Sequence, residues 1–153
     1  MKEIYSNINI IGGGLIGVAA AYSLSKLGFK ITILEKSPPY YLNKHNADQR
    51  TVAISEGTKN FLEKIGIWKE IKPLAEPIKQ IKIIDRKASN RLEFDNRRRS
   101  SNLGYIVKNK HVLNVFYKKL EKNKKVKIFN NINIIKIENQ KELIITESKN
   151  LKI

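Results

Sequence analysis

The chain of 153 residues has no cysteine, one methionine, one tryptophan, two histidines and four prolines. Without cysteine there is no disulfide, no thiolate metal site and no thiol nucleophile. The histidines, His45 and His111, make no metal-ligand spacing, and each reads as a surface or helix-start residue. No acid–base or nucleophilic constellation stands out, so no catalytic residue is expected. No uninterrupted apolar run is long enough to cross a bilayer. Met1-Lys2, an apolar stretch and Ala19-Ala20-Ala21 imitate a secretory signal, but Asn7 and Asn9 interrupt the run. The expected location is the cytoplasm.

Acidic residues are also scarce: 14 Asp and Glu against 30 Lys and Arg give a formal charge of +16. That balance raises a nucleic-acid reading, helped by Arg97-Arg98-Arg99. The lysines are scattered through every predicted element, however, and aromatics do not interleave with them as stacking platforms. A chain crowded with Lys, Ile and Asn, all with AT-rich codons, acquires such a charge without a selected binding face. Specific nucleic-acid binding is not expected. Attraction to an acidic membrane surface needs only scattered lysines and fits better. The length is one domain's worth, enough for a core.

What the chain does have stands at its start. Ile8, Ile10 and Ile11 form an apolar strand that runs into Gly12-x-Gly14-x-x-Gly17. A small-residue helix with Ala21 and Leu24 closes at Gly28, and a second strand, with Ile31, Ile33 and Leu34, ends on Glu35-Lys36. This spacing predicts a dinucleotide-binding βαβ unit. Gly12 permits the tight turn, Gly14 lets the backbone approach a pyrophosphate, and Gly17 lets the helix pack closely on the sheet. The helix N-terminus offers free N–H groups and a positive dipole end to phosphate. Glu35 lies where it can accept hydrogen bonds from a ribose diol. The candidate binding residues are Gly12, Gly13, Gly14, Leu15, Ile16, Gly17, Glu35 and Lys36. A bland alternative has the glycines merely packing a helix on a sheet. The acid at the second strand's tip argues against it.

Further along, Ser37-Pro38-Pro39 breaks the strand's continuation and a polar loop reaches Asp48-Gln49-Arg50. Ser55 reads as the N-cap of a helix through Phe61, Leu62 and Ile65 that ends at Gly66. Ile67, Trp68 and Ile71 make a short apolar turn. Residues 78–85 and 91–94 predict a hairpin, with Lys87-Ala88-Ser89-Asn90 at its turn. Arg97 to Arg99 read as the tip of a solvated loop. A strand over 103–107 leads to Asn109, which can cap a helix whose Val112, Phe116 and Leu120 form one face. Residues 126–129 fit a third parallel strand, and 132–137 with 143–146 a β-meander. The chain ends at Ile153 on an apolar–polar alternation, which reads as unfinished.

The fingerprint is followed by Asp48-x-Arg50-Thr51-Val52-Ala53-Ile54-Ser55, then Leu62-x-x-Ile65-Gly66-Ile67-Trp68, then Leu103-Gly104-Tyr105-Ile106-Val107-x-Asn109. In this order the segments resemble the FAD-dependent aromatic hydroxylases of ubiquinone biosynthesis, within the p-hydroxybenzoate hydroxylase-like group. The agreement runs from residue 4 to about 120. The resemblance implies an α/β fold: a Rossmann-like FAD-binding βαβ domain with a parallel sheet, a β-meander and an excursion hairpin. The core would lie at about 1–77 and 103–153, with 78–102 belonging to a substrate layer. It implies FAD rather than NAD at the fingerprint, with Glu35 on the adenosine ribose. It places Arg50 near the pyrophosphate–ribityl region, where a guanidinium can fork onto phosphate oxygens; an ion pair with Asp48 or Glu56 is the alternative. Asn109 would lie close to the flavin, or simply cap its helix.

Family members run to roughly two and a half times this length, within the two-domain range. The Asp-Gly and Gly-Asp motifs that complete their flavin site are missing here, and Lys108 stands where an acidic residue is usual. The resemblance therefore implies the N-terminal, FAD-binding part of a monooxygenase that uses NADPH or NADH and O₂ on a polyprenylated phenol. Such a part is expected to be inactive alone, to need a second chain or downstream fragment, and to make peripheral membrane or biosynthetic-complex contacts at the inner membrane face. A small stand-alone NAD- or FAD-binding Rossmann module is the rival reading; a basic nucleic-acid or membrane-surface protein is a third.

Overall fold

The structure, a computed structural model, describes residues 2–37, 49–84, 91–96, 102–140, 143–149 and 151–153. In chain order β1 (Lys2–Glu3), β2 (Ile8–Ile11), α1 (Leu15–Lys26) and β3 (Ile31–Leu34) come first. Then follow β4 (Thr51–Ser55), α2 (Glu56–Lys64), α3 (Trp68–Ile71), β5 (Glu76–Ile78), β6 (Gln80–Ile84) and β7 (Arg91–Asp95). β8 (Gly104–Lys108), α4 (Asn109–Glu121), β9 (Val126–Phe129), β10 (Ile134–Gln140), β11 (Leu143–Ser148) and β12 (Leu151–Lys152) complete the series. Contacts divide the chain into two compact units, residues 1–47 with 113–153 and residues 48–112.

The first unit is built on a parallel sheet in the order β2-β3-β9, with Ile10 beside Ile33 and Ile33 beside Ile128. β3 is central and buried at all four positions, which is why it reads as an unbroken apolar run. Val18 and Ala21 of α1 are fully buried, and the α1 ring of Tyr22 meets Phe116 of α4 edge-on at 5.9 Å. The small side chains of α1 therefore give close helix–sheet packing, as the fingerprint predicts. β10 and β11 form the expected antiparallel pair, and β12 adds a third antiparallel strand to the meander. The sequence gives no sign that β1 joins it, lying parallel to β12 with Lys2 beside Leu151. Ile4, Leu34 and Leu151 bury a small cluster there, flanked by Phe129, Ile132 and Ile134.

In the second unit β8 lies between β4 and β5, antiparallel to both. Pro77 falls in β5, an edge strand where a missing N–H is tolerated. Ser55 caps α2 as predicted, its Oγ accepting the Thr58 N–H at 3.2 Å. Trp68 of α3 is buried, with its ring edge-on to Tyr105 at 4.8 Å. The hairpin forms from β6 and β7 with Ile81 opposite Phe94 and Ile83 opposite Leu92. Its expected turn residues, and Arg97 to Arg99, lie outside the described residues. Within the second unit β4 and β5 ladder onto β8, while β6 and β7 form a separate two-stranded sheet. Among the described residues no helix is long and apolar enough to cross a membrane.

Candidate functional site

The β2–β3 ladder runs on into the turn before α1, where the Gly12 N–H donates to the Leu34 carbonyl at 2.8 Å. Gly12 has φ +105°, a conformation that side chains disfavour. A Cβ on Gly17 would overlap the Gly12 carbonyl oxygen, so that position is closed to every other residue. A Cβ on Gly14, in contrast, would meet nothing within 4 Å. The space over Gly14 is open. It lies at the start of α1, where no side chain caps the helix and the Val18 N–H returns to the Gly14 carbonyl at 3.0 Å. The N–H groups of the first helical turn, at Leu15 and Ile16, have no intrahelical partner by geometry. An uncapped helix start beside open space is a seat for an anion.

Glu35, one residue past β3, turns its carboxylate back onto this turn. Its Oε2 accepts the Gly13 N–H at 2.5 Å and its Oε1 accepts the Ser37 N–H at 2.8 Å. A carboxylate has about four lone-pair sites, so two donors leave capacity for a diol. Gly13 is pinned from its other side too, where the Tyr117 hydroxyl donates to its carbonyl at 2.9 Å. Burial, with the Glu35 and Glu121 charges nearby, pushes that phenol up to about 12, so it remains a donor at physiological pH.

The structure thus brings Gly12, Gly13, Gly14, Leu15, Ile16, Gly17 and Glu35 together, with Lys36 next along and exposed. Arg50 and Asn109 lie in the second unit, where the Asn109 N–H donates to the Arg50 carbonyl at 3.0 Å. Asn109 is the first residue of α4. Sequence reasoning missed Tyr117. Leu113 and Tyr117 form a second buried ridge beside Val112, Phe116 and Leu120, and a hydroxyl on a buried ridge needs a partner. That partner is 104 residues away and only the fold reveals it. A cleft of about 680 Å³ lies elsewhere, between β2 and the meander, and none of the ten candidate residues lines it.

Residues 5–147 match the family described as FAD binding domain. The chain belongs to this FAD-binding family. Its cofactor is FAD. Ubiquinone hydroxylase UbiM of Neisseria meningitidis is 25% identical over 122 residues, a match covering 75% of this chain and 26% of that protein. The 3-demethoxyubiquinol 3-hydroxylase of Escherichia coli is 26% identical over 123 residues, covering 79% of this chain and 32% of that one. Among solved structures, p-nitrophenol 4-monooxygenase PnpA of Pseudomonas putida superposes with a TM-score of 0.78 at 20% identity, over 99% of this chain and 40% of that one. The chain spans about a quarter to a third of the length of these curated relatives. The FAD-binding family membership agrees with the geometry: an open anion seat and a carboxylate with free acceptor capacity suit a nucleoside diphosphate.

Proposed function

We propose that this chain is the FAD-binding part of a flavin-dependent monooxygenase that hydroxylates an aromatic ring of a ubiquinone precursor. The observation that carries the site is Glu35, held by the Gly13 and Ser37 N–H groups beside an uncapped helix start. Glu35 accepts from the adenosine ribose. The N–H groups of Gly14, Leu15 and Ile16 meet the pyrophosphate, and Gly12 and Gly17 keep the turn tight enough to admit it. Lys36 adds positive charge at the rim. Arg50 acts further along the cofactor, toward the ribityl, and Asn109 toward the flavin.

FAD supplies the redox chemistry: NADPH or NADH with a proton gives two electrons, one oxygen atom of O₂ enters an aromatic C–H as hydroxyl, and the other leaves as water. This chain's residues bind and orient; a second polypeptide or further segment holds the phenol and excludes water. The polyprenylated phenol is taken by analogy with the relatives named above. The chain works in the cytoplasm, with its lysine excess favouring contact with the inner membrane face.

The test is a titration of the purified chain with FAD and with ADP. The two compete for one site, and Arg50→Ala weakens FAD about tenfold, the scale of one charge-assisted hydrogen bond, while leaving ADP within about twofold. Equal loss for both ligands places Arg50 elsewhere. With FAD, NADPH and a prenylated phenol under O₂, the chain alone yields no hydroxylated product above a flavin-only control; product would mean that it positions the ring unaided.

A further inference from the structure

We propose that Tyr117 is a positioning residue for the pyrophosphate of the nucleotide: by holding the Gly13 carbonyl, its hydroxyl aims the Gly14 N–H at the anion. This rests on the nucleotide-binding reading above and adds to it a residue outside the glycine fingerprint.

One peptide plane, between Gly13 and Gly14, sets the direction of the Gly14 N–H. No peptide bond among the described residues is cis. In a trans peptide the C=O of one residue and the N–H of the next point in opposite directions. The Gly13 carbonyl points inward, to the Tyr117 hydroxyl at 2.9 Å. The Gly14 N–H therefore points away from Tyr117. It lies in the peptide plane, at a residue that is exposed and opens the uncapped first turn of α1.

This orientation needs a holder. Reversing the Gly13–Gly14 peptide changes ψ of the first residue and φ of the second. Both are glycine, so the side-chain clashes that lock other sequences are absent. A diglycine turn that lets a phosphate come close is also free to turn its N–H away. Two hydrogen bonds oppose that. Glu35 fixes the Gly12–Gly13 peptide through the Gly13 N–H. Tyr117 fixes the next peptide through the Gly13 carbonyl.

A Cβ on Gly13 would overlap the Tyr117 hydroxyl and come within 3.2 Å of Glu35 Oε2. A side chain at position 13 would thus displace the Tyr117 hydroxyl from its hydrogen bond. The Tyr117 ring is 4% exposed and cannot swing out to solvent. Removing its hydroxyl leaves a buried carbonyl unpaired, and the flipped peptide becomes competitive.

The experiment uses the full chain and two probes, ADP and adenosine, measured by calorimetry. Adenosine presents the ribose to Glu35 but no phosphate to the turn. Tyr117→Phe keeps the ring and should lower ADP affinity about three- to tenfold, the range of one hydrogen bond, with adenosine changed less than about twofold. Ile33→Val, a buried truncation that removes no hydrogen bond of the turn, controls for lost stability: it should lower Tm with the ADP-to-adenosine ratio unchanged. In the parent chain, ADP but not adenosine should shift both the Gly14 amide and the Tyr117 hydroxyl proton in NMR spectra. This second measurement stands even if Tyr117→Phe fails to fold. An unchanged affinity ratio in Tyr117→Phe, or a Tyr117 hydroxyl proton indifferent to ADP, would overturn the proposal. A parent chain that binds no ADP at all would instead refute the nucleotide-binding reading, and the proposal with it.

Discussion

The β2–α1–β3 unit and the β6–β7 hairpin are both written in isoleucine-rich strands, yet their side chains meet opposite fates. Ile31 and Ile33 of β3 are fully buried under α1 and between two neighbouring strands. Ile83 and Leu92 face each other across the hairpin, and each remains about half exposed, at 51% and 53%. The same apolar pattern thus forms a strand in both places and a core in one. Cross-strand pairing supplies a few tenths to about 1 kcal/mol per pair. Full burial of an aliphatic side chain supplies about 1.5–3 kcal/mol. Among the described residues only the first region has a helix packed on its sheet, and there the packing holds a backbone turn in place.

The sharpest way to break this comparison is to truncate one isoleucine in each region. Ile33→Ala should cost about 2–5 kcal/mol in urea denaturation, the range for buried aliphatics. Ile83→Ala should stay within about 0.5 kcal/mol. Similar costs would mean that the hairpin is buried in solution. Next in size, Gly17→Ala should cost about 1–3 kcal/mol, because the added Cβ overlaps the Gly12 carbonyl oxygen and the turn must open. Its ADP binding should fall in parallel, and a stable variant with normal binding would contradict the close approach.

The smallest effect concerns pH. Burial lowers the His111 imidazole below its ordinary 6.5, with Lys110 and Lys108 adding repulsion. The unfolded chain then binds more protons than the folded one as pH falls through 6.5. Its contribution to stability is present above that value and lost below it. His111→Gln should flatten this part of the stability–pH profile. Tyr117 stays protonated between about pH 6 and 8, so Tyr117→Phe should leave the shape of the ADP pH profile over that range unchanged. A His111→Gln stability profile as steep as the parent's would assign the effect to other groups.

Much of this was legible in the sequence because it is local. The glycine spacing, the Ser55 cap, the Ile81–Ile83 alternation and the Val112–Phe116–Leu120 face each depend on neighbours within a few residues, and each forms as read. Glu35 was legible as well, since a strand's tip has a fixed place in a βαβ unit. Contacts closed by the fold were not. β1 joins β12 from the far end of the chain, and the Tyr117 hydroxyl finds Gly13 across 104 residues. Placing β4 and β5 on β8 likewise requires knowing which of several short strands pair, and strand alternation carries no address. Arg50 and Asn109 were singled out by resemblance, and the structure adds that their backbones are bonded to each other.

The central claim is that the open space over Gly14 is the seat of the FAD pyrophosphate. The direct measurement is ADP titration of the parent chain and of Gly14→Val, with Tm recorded for both. A Cβ there meets no atom within 4 Å beyond its own chain neighbours, so the variant should fold with a Tm close to the parent's. Its branched side chain should fill the phosphate's place and weaken ADP at least about tenfold, a loss of about 1.4 kcal/mol or more. Equal ADP affinity in two equally stable proteins would contradict the claim.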